Sequence, residues 1–200
     1  MFLSGLLISI SYIAAQMLSD IGSLQIVNVF GVSLDAGTFI YPITFTLRDM
    51  AHKVLGKKMV RILIISAAVV NIIMAFYFWL VSLMQPDTAA GSSGNWGSVL
   101  APVWRITGAS IIAEVVSELM DTEIYHIWIT RITTRFQWMR VLVSNVFSVP
   151  LDSFIFSFLA FMGQMPTYVV WQIFWGNVLV KGIVTIISMP MIYLVKDKAA

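Results

Sequence analysis

The chain has 200 residues, of which 59% are hydrophobic and 11% charged, with a net charge of +2 and a mean hydropathy of +0.89. A soluble domain carries about 25% charged residues, so this composition excludes one. The twelve Lys/Arg gather in short loops rather than on a nucleic-acid face, and the absence of cysteine excludes disulfides, thiolate chemistry and Cys-ligated metals.

A bilayer core needs about 20 apolar residues per helix. In chain order the spans read as Met1–Leu18, Leu34–Ala51, Val60–Met84, Val99–Met120, Val141–Met162 and Tyr168–Val195. The first lacks a basic leader and a small-residue cleavage site, so it reads as a span rather than a signal peptide. The second is the most polar, carrying Asp35, Arg48 and Asp49, and Pro42 is expected to bend it. The Pro-, Gly- and Ser-rich linker Gln85–Ser98 reads as a loop. A short turn at Gly163–Pro166 makes the last two spans antiparallel neighbours. The expectation is an all-α integral membrane protein with six transmembrane helices and one domain over residues 1–198, Ala199–Ala200 being a remnant outside it.

Loop charge orients these spans. Lys53, Lys57, Lys58, Arg61, Arg131, Arg135, Arg140, Lys196 and Lys198 all fall on one side, whereas Asp20 and Asp87 fall on the other. Positive charge is retained in the cytoplasm, so both termini are expected inside. Trp79, Trp96, Trp104, Trp128, Trp138 and Trp171 lie near span ends, as interface anchors do. Trp175, beside Gly176 and Asn177, is placed deeper and reads as a ring for stacking a ligand.

Seven charges lie within the spans away from the obvious loops: Arg48, Asp49, Arg105, Glu114, Glu118, Asp152 and Lys181. Unpaired at helix centres they would together cost roughly 20 kcal/mol, more than an ordinary domain's stability of about 5–15 kcal/mol. They must pair, approach an interface or line water. Glu114, Glu118 and Asp121 share one helix face at spacings of four and three. Asn145, Ser148 and Asp152 share another, as do Asn177, Lys181, Thr185 and Ser188, and Thr38, Pro42, Phe45 and Asp49 share a face of the second span. Pro150 frees a backbone carbonyl beside the second of these stripes. The spacing predicts one polar cavity walled by four helices. The plainer reading competes at every position. Arg48 and Arg105 can snorkel, Lys181 can neutralise a structural carboxylate, Asp121 can face water, and Glu114 and Glu118 can form structural ion pairs.

No HExxH, GxSxG, Walker or GxGxxG signature is present, and two histidines cannot make a His-rich metal site. A transporter without cofactor or metal is the simplest reading.

The segments Ala36–Lys58, Arg105–Tyr125, Arg140–Phe161 and Lys181–Pro190 resemble, in order and spacing, the queuosine precursor transporters, also called the vitamin-uptake-transporter-like family. The resemblance implies a six-helix inner-membrane carrier importing 7-cyano- or 7-aminomethyl-7-deazaguanine for tRNA queuosine salvage. It implies an architecture similar to the substrate-binding components of energy-coupling-factor importers, working without their ATPase. Phe39, Pro42, Asp49, Arg105, Asp121, Asn145, Asp152 and Lys181 match the family pattern, whereas Glu114 and Glu118 are not fixed by it.

Deazaguanine chemistry suits these side chains. Its donor edge fits a carboxylate such as Asp152 or Glu118, and its carbonyl fits Asn145. The ring can stack on Phe39, Phe45 or Trp175, while Lys181 and Arg105 balance charge. Asp49, Glu114 and Asn177 complete the expected binding set. The expected partners are the bilayer and the deazaguanine, with no nucleic acid; a homo-oligomer stays open. Transport is either facilitative or proton-coupled. The alternatives are a substrate-binding module of an ATP-driven importer and a membrane-embedded enzyme that uses the carboxylates.

Overall fold

The computed structural model describes residues 2–85, 87, 89, 96–131 and 137–194. Side chains outside that description include those of Glu118 and Asp121, together with Lys53, Lys57, Trp128, Arg131, Arg135, Trp138, Arg140, Lys196 and Lys198.

Six long helices carry the fold: α1 (Phe2–Gly22), α2 (Tyr41–Leu55), α3 (Lys57–Leu83), α5 (Val103–Arg131), α6 (Gln137–Phe161) and α7 (Thr167–Ser188), with a short α4 at Trp96–Leu100. Among the described residues four stretches are long and apolar enough to cross a membrane: Leu3–Gly22, Lys58–Leu83, Trp96–Ser117 and Thr167–Ser188. The apolar part of α6, Asn145–Phe161, is shorter. Helix α2, at 15 residues, extends about 22 Å at 1.5 Å per residue, less than the roughly 30 Å hydrocarbon core. The exposed side of α3 carries Ile62, Ile65, Val69, Ile72, Ile73 and Phe76, an apolar face of the kind that lipid covers.

The polar second span divides in three. Residues expected to begin a helix instead form strand β2 (Val32–Asp35) and a 3₁₀ turn (Ala36–Phe39), and only Tyr41–Leu55 is α-helical. Pro42 is therefore not a bend. It lies in the first turn of α2, where its missing N–H has no intrahelical partner to lose and its φ suits the helix.

Strand β1 (Ile26–Val29) pairs antiparallel with β2 through Ile26↔Asp35 and Val29↔Val32. Phe30 and Gly31 make the two-residue turn with φ of 53° and 86°, the positive-φ pair of a type I′ hairpin. The Gly31 N–H donates to Asn28 Oδ1 at 2.9 Å. Among the described residues this hairpin is the one sheet in a largely helical fold. Leu34 of β2 packs directly over Gly176 of α7, and a Cβ there would collide with the leucine side chain. At Gly37 a Cβ would collide with the Ser19 carbonyl and the Ser23 hydroxyl of the α1 end. These two close approaches seat the hairpin and its 3₁₀ turn onto the bundle.

The apolar core has two main parts. One joins α1, α2 and α3 through Ile8, Tyr12, Ala51, Val54, Val60 and Ala67. The other joins α5, α6 and α7 through Ile106, Ala113, Phe156, Ala160, Val170 and Ile173. The polar interior lies between them.

Candidate functional site

Helix α7 supplies one wall. Asn177, Lys181, Thr185 and Ser188 are all buried, as the four-residue spacing requires of one helical stripe. Lys181 donates to Asp152 Oδ2 of α6 at 2.6 Å, with side chains 3% and 1% exposed. The ammonium also sits 4.5 Å from the Tyr41 ring centre and 5.7 Å from that of Phe156, close enough for cation–π attraction. The second Asp152 oxygen accepts long hydrogen bonds from Tyr41 at 3.3 Å and Ser117 at 3.4 Å. Removing one member of such a desolvated pair destabilises by about 3–5 kcal/mol, because the survivor stays charged and buried.

A narrow cavity opens beside this pair. Besides Tyr41, Asp152, Phe156 and Lys181, its walls include Asp20 from α1, Asp35 from β2, Thr38 from the 3₁₀ turn and Ser110 from α5. Asp20 and Asp35 were expected outside the polar cavity, in an outward loop and near a span end. Both are buried, at 3% and 1% exposure. Helix α1 runs four residues beyond its expected end and carries Asp20 inward, and the hairpin folds Asp35 back over it. Asp35 Oδ1 accepts from the Ser23 hydroxyl at 2.8 Å and the Thr38 N–H at 3.0 Å, capping the 3₁₀ turn. Asp20 faces the Ser110 and Thr107 hydroxyls and the Asp35 carboxylate. The Oδ2 atoms of Asp20 and Asp35 have no hydrogen-bond partner.

Glu114 belongs to a different cluster. Its Oε1 accepts from Tyr12 at 2.5 Å and from Gln16 at 2.7 Å, both on α1. Gln16 also accepts from Asn71 of α3 at 3.3 Å. These side chains are all buried, so the cluster ties α1, α3 and α5 together through hydrogen bonds.

The remaining expected residues are dispersed. Arg105 donates to the Leu159 and Met162 carbonyls at 2.9 and 2.5 Å. It thereby satisfies carbonyls at the α6 C-terminus, where a cation is favoured. Asp49 lies 3.9 Å from Arg48 on α2, whose guanidinium in turn sits over the Phe45 ring at 5.6 Å. Phe45 packs edge-on against Tyr41 at 5.3 Å, one layer behind the cavity. Phe39 and Trp175 are 44% and 63% exposed and lie outside it, and Trp175 instead stacks near Phe174 at 4.8 Å. Asn145 is half-buried, and Glu118 and Asp121 lie outside the described side chains. Asn177 accepts from Thr38 at 2.7 Å, while its Nδ2 has no partner.

Chemically, the cavity presents carboxylate acceptors, one ammonium donor and two aromatic faces, those of Tyr41 and Phe156. A planar ligand rich in N–H groups suits that set. Among the described residues no cluster of His, Cys, Asp and Glu suits a metal ion.

Residues 35–195 match the family model described as "Putative vitamin uptake transporter". The chain is also 26% identical over 184 residues to the "Probable queuosine precursor transporter" of Bacillus subtilis (strain 168), covering 91% of this chain and 80% of that protein. No solved structure matches. The family match begins at Asp35 on the cavity wall and runs through Asp152 and Lys181 to the end of the bundle, so the chain belongs to the putative vitamin uptake transporter family.

Proposed function

We propose that this chain is a six-span inner-membrane carrier importing 7-deazaguanine precursors of queuosine, the 7-cyano and 7-aminomethyl compounds, with both termini cytoplasmic. The observation that carries this reading is the desolvated Asp152–Lys181 pair opening onto a polar cavity. A guanine-type edge offers two adjacent donors, a ring N–H and an exocyclic amine, followed by a carbonyl acceptor. Asp152 accepts from the donors and Lys181 donates to the carbonyl, so the ligand exchanges one buried ion pair for charge-assisted hydrogen bonds to both partners. Tyr41 and Phe156 supply the flat apolar surfaces. The family and the printed name of the Bacillus relative support the same substrate class.

The cavity is narrow in this conformation, with room for little more than a water molecule. Substrate entry therefore requires helices or the hairpin to part, as a carrier's cycle does. The α2 and α6 helices complete the six spans where their flanking polar turns lie near the interface. The basic residues Lys58 and Arg61, at the α2–α3 connection opposite the hairpin, mark the cytoplasmic end.

Purified protein in liposomes should accumulate either radiolabelled precursor without an ATPase partner, and counterflow should exchange the two. Liposomes that take up neither compound would overturn the assignment. Uptake that appears only when an ATP-hydrolysing partner is added would make the chain a substrate-binding module instead.

A further inference from the structure

Asp20 and Asp35 are the charged members of the cavity that the guanine-reading pair leaves unused. Each side chain is more than nine-tenths buried, and each keeps one oxygen, Oδ2, without a hydrogen-bond partner. The groups facing them are neutral: the Ser23 hydroxyl and the Thr38 N–H at Asp35, and the Ser110 and Thr107 hydroxyls at Asp20. The Thr107 hydroxyl, 1% exposed, has no hydrogen-bond partner of its own.

The described charged and titratable groups on the surrounding elements are occupied elsewhere. On α7, Lys181 is held by Asp152 of α6. On α5, Arg105 caps the end of α6 and Glu114 is bonded to Tyr12 and Gln16 of α1. On α2, Tyr41 donates to Asp152, and Arg48 and Asp49 face each other. On α3, Tyr77 is exposed. Two carboxylates on one wall of a low-dielectric site, with no cation paired to them among the described residues, are costly to keep ionised together.

We propose that Asp20 and Asp35 form a subsite for a primary ammonium group, which holds one proton when empty and exchanges it for the ammonium of an aminomethyl-bearing substrate. The exchange is balanced. The proton leaves to water, the ammonium enters with all its hydrogens, and the two Oδ2 atoms accept from it. The cavity walls carry three carboxylates, Asp20, Asp35 and Asp152, against the single ammonium of Lys181. Trading a proton for an ammonium leaves that balance unchanged. A 7-cyano substrate brings no cation, so it leaves the proton where it is. This proposal rests on the deazaguanine reading and adds a basis for choosing between its two precursors.

The test is titration calorimetry on the full-length protein in nanodiscs, with each precursor, in buffers of differing ionisation enthalpy and over a range of pH. For the wild type, binding of the 7-aminomethyl compound should release about one proton and tighten about tenfold per pH unit. The 7-cyano compound should release none and show a flat profile. Asp20→Asn should abolish the proton release and weaken the aminomethyl compound about tenfold or more. It should weaken the cyano compound far less than the aminomethyl compound, and a thermal melt of the variant reports that it is folded. Asp35→Asn, which keeps one oxygen for Ser23 and Thr38, should behave alike. Equal pH slopes for the two compounds in the wild type would overturn the proposal, as would equal weakening of both by Asp20→Asn. A wild type that binds the cyano compound with no difference in proton release sinks the ammonium subsite alone. A wild type that binds neither compound sinks the deazaguanine reading with it.

Discussion

Two buried polar clusters lie in the same bundle, and they differ in how their carboxylates are partnered. Around Glu114, carboxylate, phenol and amides from α1, α3 and α5 bond to one another at 2.5–3.3 Å. Around Asp152 and Lys181, one short ion pair borders a cavity in which two further carboxylates keep unpartnered oxygens. A carboxylate bonded to donors on a neighbouring helix fastens the two helices, and in the Glu114 cluster the unpartnered oxygen belongs to an amide, Asn71 Oδ1, rather than to the carboxylate. A carboxylate with an unpartnered oxygen beside free space stores binding capacity for a ligand, since an unpaired buried polar group is expensive until something fills it. Burial and charge alone do not separate the two clusters. The partnering of their carboxylates, and the free space beside one of them, does.

This contrast can be tested, beginning with the largest effect. Asp152→Asn or Lys181→Met should lower uptake of both precursors about 100-fold or more, with protein still reaching the membrane. A double-mutant cycle on thermal stability should show the Asp152→Leu/Lys181→Met protein losing much less than the sum of the single variants, since no lone buried charge remains. Unchanged uptake in Asp152→Asn would move the substrate site elsewhere.

Glu114→Ala should remove the common acceptor of Tyr12 and Gln16 and destabilise the protein by about 1–3 kcal/mol. Uptake per folded molecule should stay within about twofold, and Glu114→Gln, which keeps an acceptor, should recover much of the stability. A loss of uptake in Glu114→Gln at wild-type melting temperature would erase the distinction between the clusters. Arg105→Ala, which uncovers the carbonyls at the α6 end, should lower stability by about 1 kcal/mol and leave affinity for both precursors unchanged in a binding titration. Smallest is Trp175→Ala. On an exposed face, it should change stability by less than about 0.5 kcal/mol and leave affinity unaltered, whereas a clear loss of affinity would show that the ring reaches the ligand.

Much of the helical layout was readable before any contact was known. The Asn177–Lys181–Thr185–Ser188 stripe follows from 3.6-residue periodicity, and all four side chains are buried. Asp152 and Lys181 stood out because unpaired charge is costly in an apolar span. The hairpin carried a weaker signal, β-branched residues on both sides of Phe30–Gly31, without the Asn-Gly or Asp-Gly that marks such turns most clearly. Missing it placed residues 34–40 in a helix and left Asp35 off the polar faces. Asp20 was assigned to a loop because a carboxylate at the end of an apolar run ordinarily meets water. Nothing local to it reveals that a hairpin will fold over it.

Composition and periodicity by themselves determined the membrane class, most of the helices and the buried polar stripe of α7. Those properties depend on residues within a few positions of one another. Tertiary structure decided which polar faces meet. It joined Tyr12 to Glu114 across 102 residues and Thr38 to Asn177 across 139, and it brought Asp20 and Asp35 to one cavity wall. Whether a buried carboxylate is a fastener or a vacancy for a ligand depends on the donors that other helices deliver to it. That delivery is a property of packing, which no single stretch of chain encodes.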